Sequence, residues 1–519
     1  MNQLKLKTAE TLRKLKTNPN NIVIVGGGSS GWMTAAILCT RFPNKNITLV
    51  ESPDIPTVGV GESTLGSINL FFNLLGLEDK DWMPYCNATY KLAIQFTDFY
   101  KKGETFYYPF GDKDFSNSRG IDDWMIKKAN NKDLSIKDYY DTFYSIMPFV
   151  YDNKIPATKV GNFNFTKDAA YHMDAAAFGE FLKEKICIPK GVKYIQDTIQ
   201  DVKLQDNDVH CLKCNNHTVH GDLFVDCSGF RSLLLEQTMK VPFTSFKDHL
   251  PNNRAWTCHL PYNDKDAEIE NVTNCTAYNN GWIWNIPLYH RAGSGYVFCT
   301  DFISEDDALI EYKQYIQQLG KDTDKLKFRL VKIKNGRHDV CWKNNVVGVG
   351  LAYGFIEPLE STGLLSTQEM LLALCETLYN DNVGSLQVKN FNYFCANMLD
   401  TFKEFVAYHY IASSRKDTEY WKHVTENISI DSDASIDLAH NYTVNHTTPN
   451  DSAGLPDILV GMHYYSHNPL SVDWTSFVTG SPLVTSKNWE NTVSQKNRLY
   501  QSISDKSLSH YNYLERFIY

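Results

Sequence analysis

Apolar positions along this chain switch between two periods, and the first clear block is Ile22-Val-Ile-Val25, a β-branched run entered from Asn21. Four apolar residues in a row predict a strand covered on both faces, as in a parallel sheet. The run empties into Gly26-Gly-Gly-Ser-Ser-Gly31, and Trp32-Met-Thr-Ala-Ala36 continues with helix-compatible residues. A second apolar run (Ile47, Leu49, Val50) stops at Glu51, twenty residues after Gly31. Helical spacing returns around Phe71, Phe72, Leu74 and Leu75. From Ala88 to Thr97 the period is two: Ala88, Tyr90, Leu92, Ile94 and Phe96 alternate with Thr89, Lys91, Ala93, Gln95 and Thr97, which predicts one strand with Lys91 in its middle. Residues 104 to 120, with Phe106, Tyr107, Tyr108, Phe110 and Phe115 among glycines, read as a loop. Tyr171 to Phe178 reads as the opening of a helix, 192 to 225 as strands built into the first domain, and 250 to 335 as strand-rich. Leu364 to Leu374 and Asp400 to Ser414 read as helices, and no repeat is present.

Strand, glycine turn, helix, strand and acid in that order form the pattern of a dinucleotide site. Glycines let the backbone turn sharply and approach a pyrophosphate, whose charge sits at the positive end of the helix, while Glu51 would accept ribose hydroxyls. FAD and NAD both fit this pattern. Leu223 to Gly229 is a buried strand ending in an acid and a glycine, suited to a second approach to the cofactor. Ser361-Thr-Gly363 stands at a helix entrance, where free backbone N–H groups receive an anion or a cofactor carbonyl. Two readings stay open for Lys91: it faces solvent, or it reaches past the small Thr89 and Ala93 into a cavity. Trp282 and Trp284 on one strand face either fill core or wall off a cofactor. The aromatic stretch at 104 to 120 either packs or stacks on a flat substrate. Cys211-Leu-Lys-Cys214 with His217 is half of a zinc pattern, but no second ligand pair follows at suitable spacing, so no metal is expected.

Composition narrows the partners. The 519 residues are 43% apolar and 13% aromatic, enough for large cores in two to four domains. A net charge of −9 offers no basic field for nucleic acid or an anionic membrane, so the expected partner is a small molecule. The longest apolar run, Val346 to Ile356, is broken by glycines and is too short to span a bilayer. Twelve scattered cysteines behind a start without a hydrophobic signal core imply free thiols in the reducing cytoplasm. Residues 1 to 20 read as an N-terminal extension with a short basic helix, and 430 to 452 as an acidic, Asn-rich connector.

Five segments taken in order resemble the flavin-dependent halogenases of the tryptophan-halogenase family: Gly26-Gly-Gly-Ser-Ser-Gly-Trp32, Val58-Gly-Val-Gly-Glu-Ser-Thr64, Asp226-Cys-Ser-Gly-Phe-Arg231, Trp282-Ile-Trp-Asn-Ile-Pro287 and Phe355-Ile-Glu-Pro-Leu-Glu-Ser-Thr-Gly363. Asn335-Gly-Arg-His338 and His409 to Arg415 add weaker matches. The resemblance implies an α/β fold: a Rossmann-like FAD-binding domain of the GR2-type flavoprotein monooxygenases with mixed sheets (21–400, with a strand-rich insertion at 241–335), and a more helical substrate-binding module (401–519). It implies FAD against Gly26, Gly28, Ser29, Ser30, Gly31, Glu51, Gly229, Leu351 and Ser361, and a halide co-substrate at Thr362 and Gly363. Reduced FAD, delivered by a separate flavin reductase, with oxygen and halide yields hypohalous acid, which travels to Lys91. Glu360 then polarises the halogen donor or takes the ring proton, and Glu357 is a decoy carboxylate. The motif tryptophans Trp282 and Trp284 separate this family from flavin hydroxylases of the same fold. The implied substrate is an indole, phenol, pyrrole or other activated aromatic. A flavin monooxygenase and a non-catalytic flavin-binding protein are the alternatives, and self-association of the chain is left open.

Overall fold

The computed structural model describes residues 18–519 apart from 56–58, 60, 116–123, 125–126, 129, 132, 158, 380–382, 431–453, 464–475 and 479–482. The expected helix within residues 1–20, Val58 and Val60 of the second matched segment, and nearly all of the 430–452 connector lie outside the described residues.

Six strands form the sheet that carries the glycine turn, in the order Trp342–Lys343, Val346–Gly348, Leu223–Asp226, Asn21–Val25, Asn46–Glu51 and Lys193–Gln196. All neighbours are parallel except Trp342–Lys343. Its central strands are apolar on both faces because both faces are covered, and the helix Ser29–Arg41 buries Trp32 through Cys39 against one of them. A second sheet of seven strands runs Arg329–Lys332, Arg254–Leu260, Ala292–Phe298, Gly281–Pro287, Val272–Tyr278, Ala93–Thr97 and Thr105–Pro109. A small sheet of three short strands, Glu62–Ser63, Ala170–Met173 and Thr89–Lys91, carries the lysine.

Several expectations are corrected here. Ala88 to Thr97 is two strands: Thr89–Lys91 pairs with Ala170–Met173, whereas Ala93–Thr97 pairs with Val272–Tyr278 and Thr105–Pro109. One alternating pattern serves two sheets, because the period of two survives the step at Leu92. The aromatic loop at 104 to 120 contains the strand Thr105–Pro109, whose Phe106 stacks on Phe96 at 4.9 Å. Tyr171 to Met173 is strand rather than helix; the helix begins at Ala175, where the Asp174 carboxylate caps the N–H groups of Ala176 and Ala177. The segment 192 to 225 is divided between the six-stranded sheet and a separate three-stranded one, Ile199–Gln205, Asp208–Cys214 and Thr218–His220. The helices Thr362–Tyr379 and Ser385–Ile411 follow, the second running through residue 400 without a break.

Candidate active site

The glycine turn is shaped against its neighbours. Gly26 has φ +113°, and a Cβ there would lie 2.3 Å from the Cys227 carbonyl oxygen; a Cβ on Gly27 would meet the Glu51 carboxyl carbon at 2.1 Å. Side chains are therefore excluded on both sides, and the Glu51 carboxylate is drawn to the turn, where Tyr194 donates to it at 2.9 Å. Burial raises the Glu51 pKa. The helix starting at Ser29 has no side-chain cap, so its first N–H groups are available to a phosphate. Leu351 lies in the turn Gly350–Ala352, which approaches Ser30 and packs on the turn Gly229–Arg231. The glycine turn, Glu51, Gly229 and Leu351 thus come together, and the turn fits a dinucleotide, whereas Ser361 stands beside Lys91 and Ser63. Asp226 does not open to that site: its buried carboxylate accepts from the N–H groups of Ser228, Leu234 and Leu235.

Lys91 ends its strand fully buried, which removes the solvent-facing reading. Its ammonium donates to the Thr64 carbonyl and to Ser361 Oγ, both at 2.9 Å, and stands 4.9 Å from the Phe110 ring centroid. Burial pulls its pKa down to about 7, with Cys275 and Glu360 acting against the shift. Two of its donors are held by the protein. The third is left for a ligand.

Ser361 is itself unusual. It adopts φ +59° at the junction between the turn Pro358–Glu360 and the helix Thr362–Tyr379, a left-handed conformation that a side chain adopts at some cost. The junction turns Glu360, Ser361 and Thr362 inward together, all buried. Thr362 Oγ1 has no hydrogen-bond partner among the described residues, and the space in front of Gly363 Cα is open for 4 Å.

Glu360 and Glu357 are three residues apart and both buried. Glu357 accepts from Asn252 Nδ2 at 2.8 Å, Tyr410 OH at 3.0 Å and Trp282 Nε1 at 3.1 Å, and its own N–H is taken by Asn335. The contact of Glu360 is His409, whose Nε2 lies 2.7 Å from Glu360 Oε1, while Glu360 Oε2 has no hydrogen-bond partner among the described residues. Desolvation raises both carboxyl pKa values, and His409 and Lys91 pull that of Glu360 back. Trp282 and Trp284, with ring centroids 5.9 Å apart, are both buried, and the first is a hydrogen-bond donor to Glu357 as well as core.

Three groups went unread in the sequence. Ser361 Oγ donates to Ser63 Oγ at 3.0 Å; Ser63 meets Thr273 Oγ1 at 2.7 Å; Thr273 meets His172 Nε2 at 2.8 Å; His172 Nδ1 meets Thr89 Oγ1 at 3.2 Å; and Thr89 donates to the Pro287 carbonyl at 2.5 Å. The final carbonyl can only accept, so every hydrogen in the chain points away from Lys91, and His172 carries its proton on Nδ1. Burial keeps His172 neutral. Ser63, His172 and Thr273 reach this line from three separate strands, and no spacing in the sequence ties them together. Glu62, beside Ser63, is raised to about 7 by desolvation and by Asp174.

A family model described as tryptophan halogenase matches residues 21–455. The tryptophan 6-halogenase SttH of Streptomyces toxytricini is 36% identical over 431 residues, covering 78% of this chain and 80% of that protein. The 7-chloro-L-tryptophan 6-halogenase KtzR of Kutzneria sp. (strain 744) is 35% identical over 429 residues, covering 77% and 81%. Among solved structures, that of VirX1 in its apo form superposes with a TM-score of 0.86 at 36% identity, covering 96% of this chain and all of the other.

Proposed function

Since this chain belongs to the tryptophan halogenase family, we propose that Lys91 delivers the halogen to the substrate ring and that Glu360 takes the proton the ring loses. The enzyme is a flavin-dependent halogenase that uses FAD and halide on an aromatic substrate, with a flavin reductase as partner. When bound in reduced form, FAD supplies with oxygen the oxidising equivalent that converts halide to hypohalous acid.

Gly26, Gly28, Ser29, Ser30, Gly31, Glu51, Gly229, Leu351 and Ser361 hold the cofactor in this reading. The open helix entrance at Thr362 and Gly363 receives the halide through backbone N–H groups. Hypohalous acid meets Lys91 through the donor that Thr64 and Ser361 leave free, either hydrogen-bonded or with the halogen carried on nitrogen. In the first case the halogen leaves oxygen for a ring carbon and the oxygen departs as water. In the second, water departs when the N–halogen bond forms, and the ring regenerates the amine. Either way one ring proton must leave, and Glu360, buried near Lys91 with its Oε2 unpaired among the described residues, is the carboxylate to take it. The Lys91 ammonium, buried and turned into the site by two hydrogen bonds, is the observation that carries the proposal.

In this reading a flavin domain at 21–400, with 241–335 inserted, is followed by a substrate module at 401–519; the helix Ser385–Ile411 runs across that boundary, and the seven-stranded sheet takes Ala93–Thr97 and Thr105–Pro109 in with the inserted strands. All twelve cysteines are free thiols, which supports a reducing, cytoplasmic setting, and no helix among the described residues is long and apolar enough to cross a membrane. The test is mass spectrometry of indoles (tryptophan included), phenols and pyrroles incubated with the enzyme, FAD, a flavin reductase, NADH and each halide. A halogen mass shift that disappears in Lys91→Ala is expected. Oxygen addition, or halogenation that survives the substitution, would refute the assignment.

A further inference from the structure

The three-stranded sheet Ile199–Gln205, Asp208–Cys214 and Thr218–His220 takes no part in the chemistry above. Within it Cys211 lies directly across from His220 in the antiparallel register. Toward Ile199–Gln205 the middle strand bulges: Val209 faces Leu204 and Cys211 faces Lys203, which leaves His210 as the extra residue. A bulge suspends the alternation of side chains and re-aims them locally. His210 accordingly joins its sequence neighbour Cys211 and the cross-strand His220, with a ligand atom of each within 4.8 Å of the others. The two imidazoles stand edge to face at 5.1 Å and are exposed, while the thiol lies buried beneath them. None of the three side chains makes a hydrogen bond to another described residue, so the lone pairs of both rings are unclaimed.

We propose that His210, Cys211 and His220 form a binding site for a divalent metal ion of the zinc class. One thiolate and two neutral imidazole nitrogens make a borderline-soft donor set, which suits zinc over calcium or magnesium. Zinc holds nitrogen at about 2.0 Å and sulfur at about 2.3 Å, which sets these three ligands roughly 3.3–3.5 Å apart in a tetrahedron. Rotation of two exposed imidazoles closes the remaining gap. Binding releases the thiol proton to solvent, and the fourth position opens outward between the histidines, to water. The ion ties Asp208–Cys214 to Thr218–His220 at the end of a short outer strand. The trio that the sequence spacing suggested is taken apart by the fold: His217 Nδ1 is 2.8 Å from Asp197, out of the cluster, and Cys214 is not part of it.

The test uses the full chain, stripped with chelator and titrated with cobalt(II). One equivalent is expected to produce a near-ultraviolet thiolate-to-cobalt charge-transfer band that zinc displaces. Cys211→Ser removes the band, and His210→Ala and His220→Ala each weaken binding tenfold or more, with halogenation unchanged in all three. Absence of the band at stoichiometric cobalt would overturn the site. So would its persistence in Cys211→Ser, since one of the other eleven thiols would then be the ligand. The two histidines are exposed and their replacement leaves the fold intact, so a band unaltered in both histidine variants overturns the site even if the serine variant fails to fold.

Discussion

Glu357 and Glu360 sit on one turn, equally buried, and differ in what meets them. Three donors converge on Glu357, and each comes from a residue fixed in the core: Trp282 on a strand of the seven-stranded sheet, Tyr410 on a long helix, and Asn252, which is itself aligned with Asn335. Glu360 faces Lys91 and His409, with His409 Nε2 against Oε1 and Oε2 left without a partner among the described residues. A buried carboxylate with its hydrogen bonds filled stabilises a unique packing; one left unfilled is costly unless a ligand or a reaction uses it. The proposed division of the motif Glu357-Pro-Leu-Glu360 into one structural and one chemical acid therefore rests on the surroundings rather than on the residue type.

Replacement of Lys91 is expected to have the largest effect. Lys91→Met should abolish halogenated product in mass spectrometry while FAD binding, followed by flavin fluorescence, persists. The same variant carries a pH signature. The folded amine has its pKa depressed from 10.5 to about 7, so between these values the unfolded chain holds a proton that the folded chain does not, and wild-type stability rises with pH across that window. Urea titrations at pH 7 and pH 9 should show wild type gaining on the Lys91→Met protein; an equal difference at both would mean that Lys91 is not depressed. A halogenation rate that needs the neutral amine should likewise climb through about pH 7.

Glu360→Gln comes next. Loss of a proton acceptor costs about 10²–10⁴-fold in kcat, so kcat should fall by that order with KM and melting temperature little moved. Glu357→Ala should do the reverse. It orphans the Trp282 N–H and the Tyr410 O–H, Asn252 keeping Tyr410 as an acceptor, and loss on the scale of one to two such groups costs about 3 kcal/mol of stability, seen as an earlier urea midpoint, while kcat per folded molecule stays near wild type. If the two acids exchange these phenotypes, their assignment is inverted.

Much of the fold and part of this contrast were legible beforehand, for identifiable reasons. The strand at Ile22–Val25 and the turn after it are local: β-branched residues and glycines write their conformation into adjacent positions. The helix at Thr362 was equally plain. Lys91 was visible as a lysine inside an alternating run, yet its exposure depended on the break at Leu92, which sends the two halves of that run to different sheets without disturbing the pattern. The Tyr171 segment is strand although it runs straight into a helix signal, because the capping aspartate and three alanines specify a helix only from Ala175 onward. Nothing near Glu357 in sequence announces Trp282 or Tyr410, which lie 75 and 53 positions away. Long-range partners of this kind distinguish the two acids, and a sequence pattern of adjacent residues does not encode them.

The smallest expected effect tests whether the unfilled side of the site is tuned from a distance. The chain from Lys91 through Ser361, Ser63 and Thr273 to His172 has all its hydrogens pointing one way, and a polarised chain strengthens its first acceptor, here the Ser361 oxygen that takes the lysine N–H. That strengthening favours the ammonium. Thr273→Val cuts the chain two links from Lys91 without touching lysine, substrate or Glu360, and leaves His172 Nε2 without its donor. The lysine pKa should then fall further below about 7, moving the acid limb of the kcat–pH profile to lower pH by less than a unit, while Thr273→Ser restores it. A destabilised fold alone would lower the yield of active enzyme without moving that limb, which is also the behaviour expected of Glu357→Ala. A limb that stays in place in Thr273→Val would reduce the chain to packing, and would leave the two hydrogen bonds on Lys91 as the whole of its control by the protein.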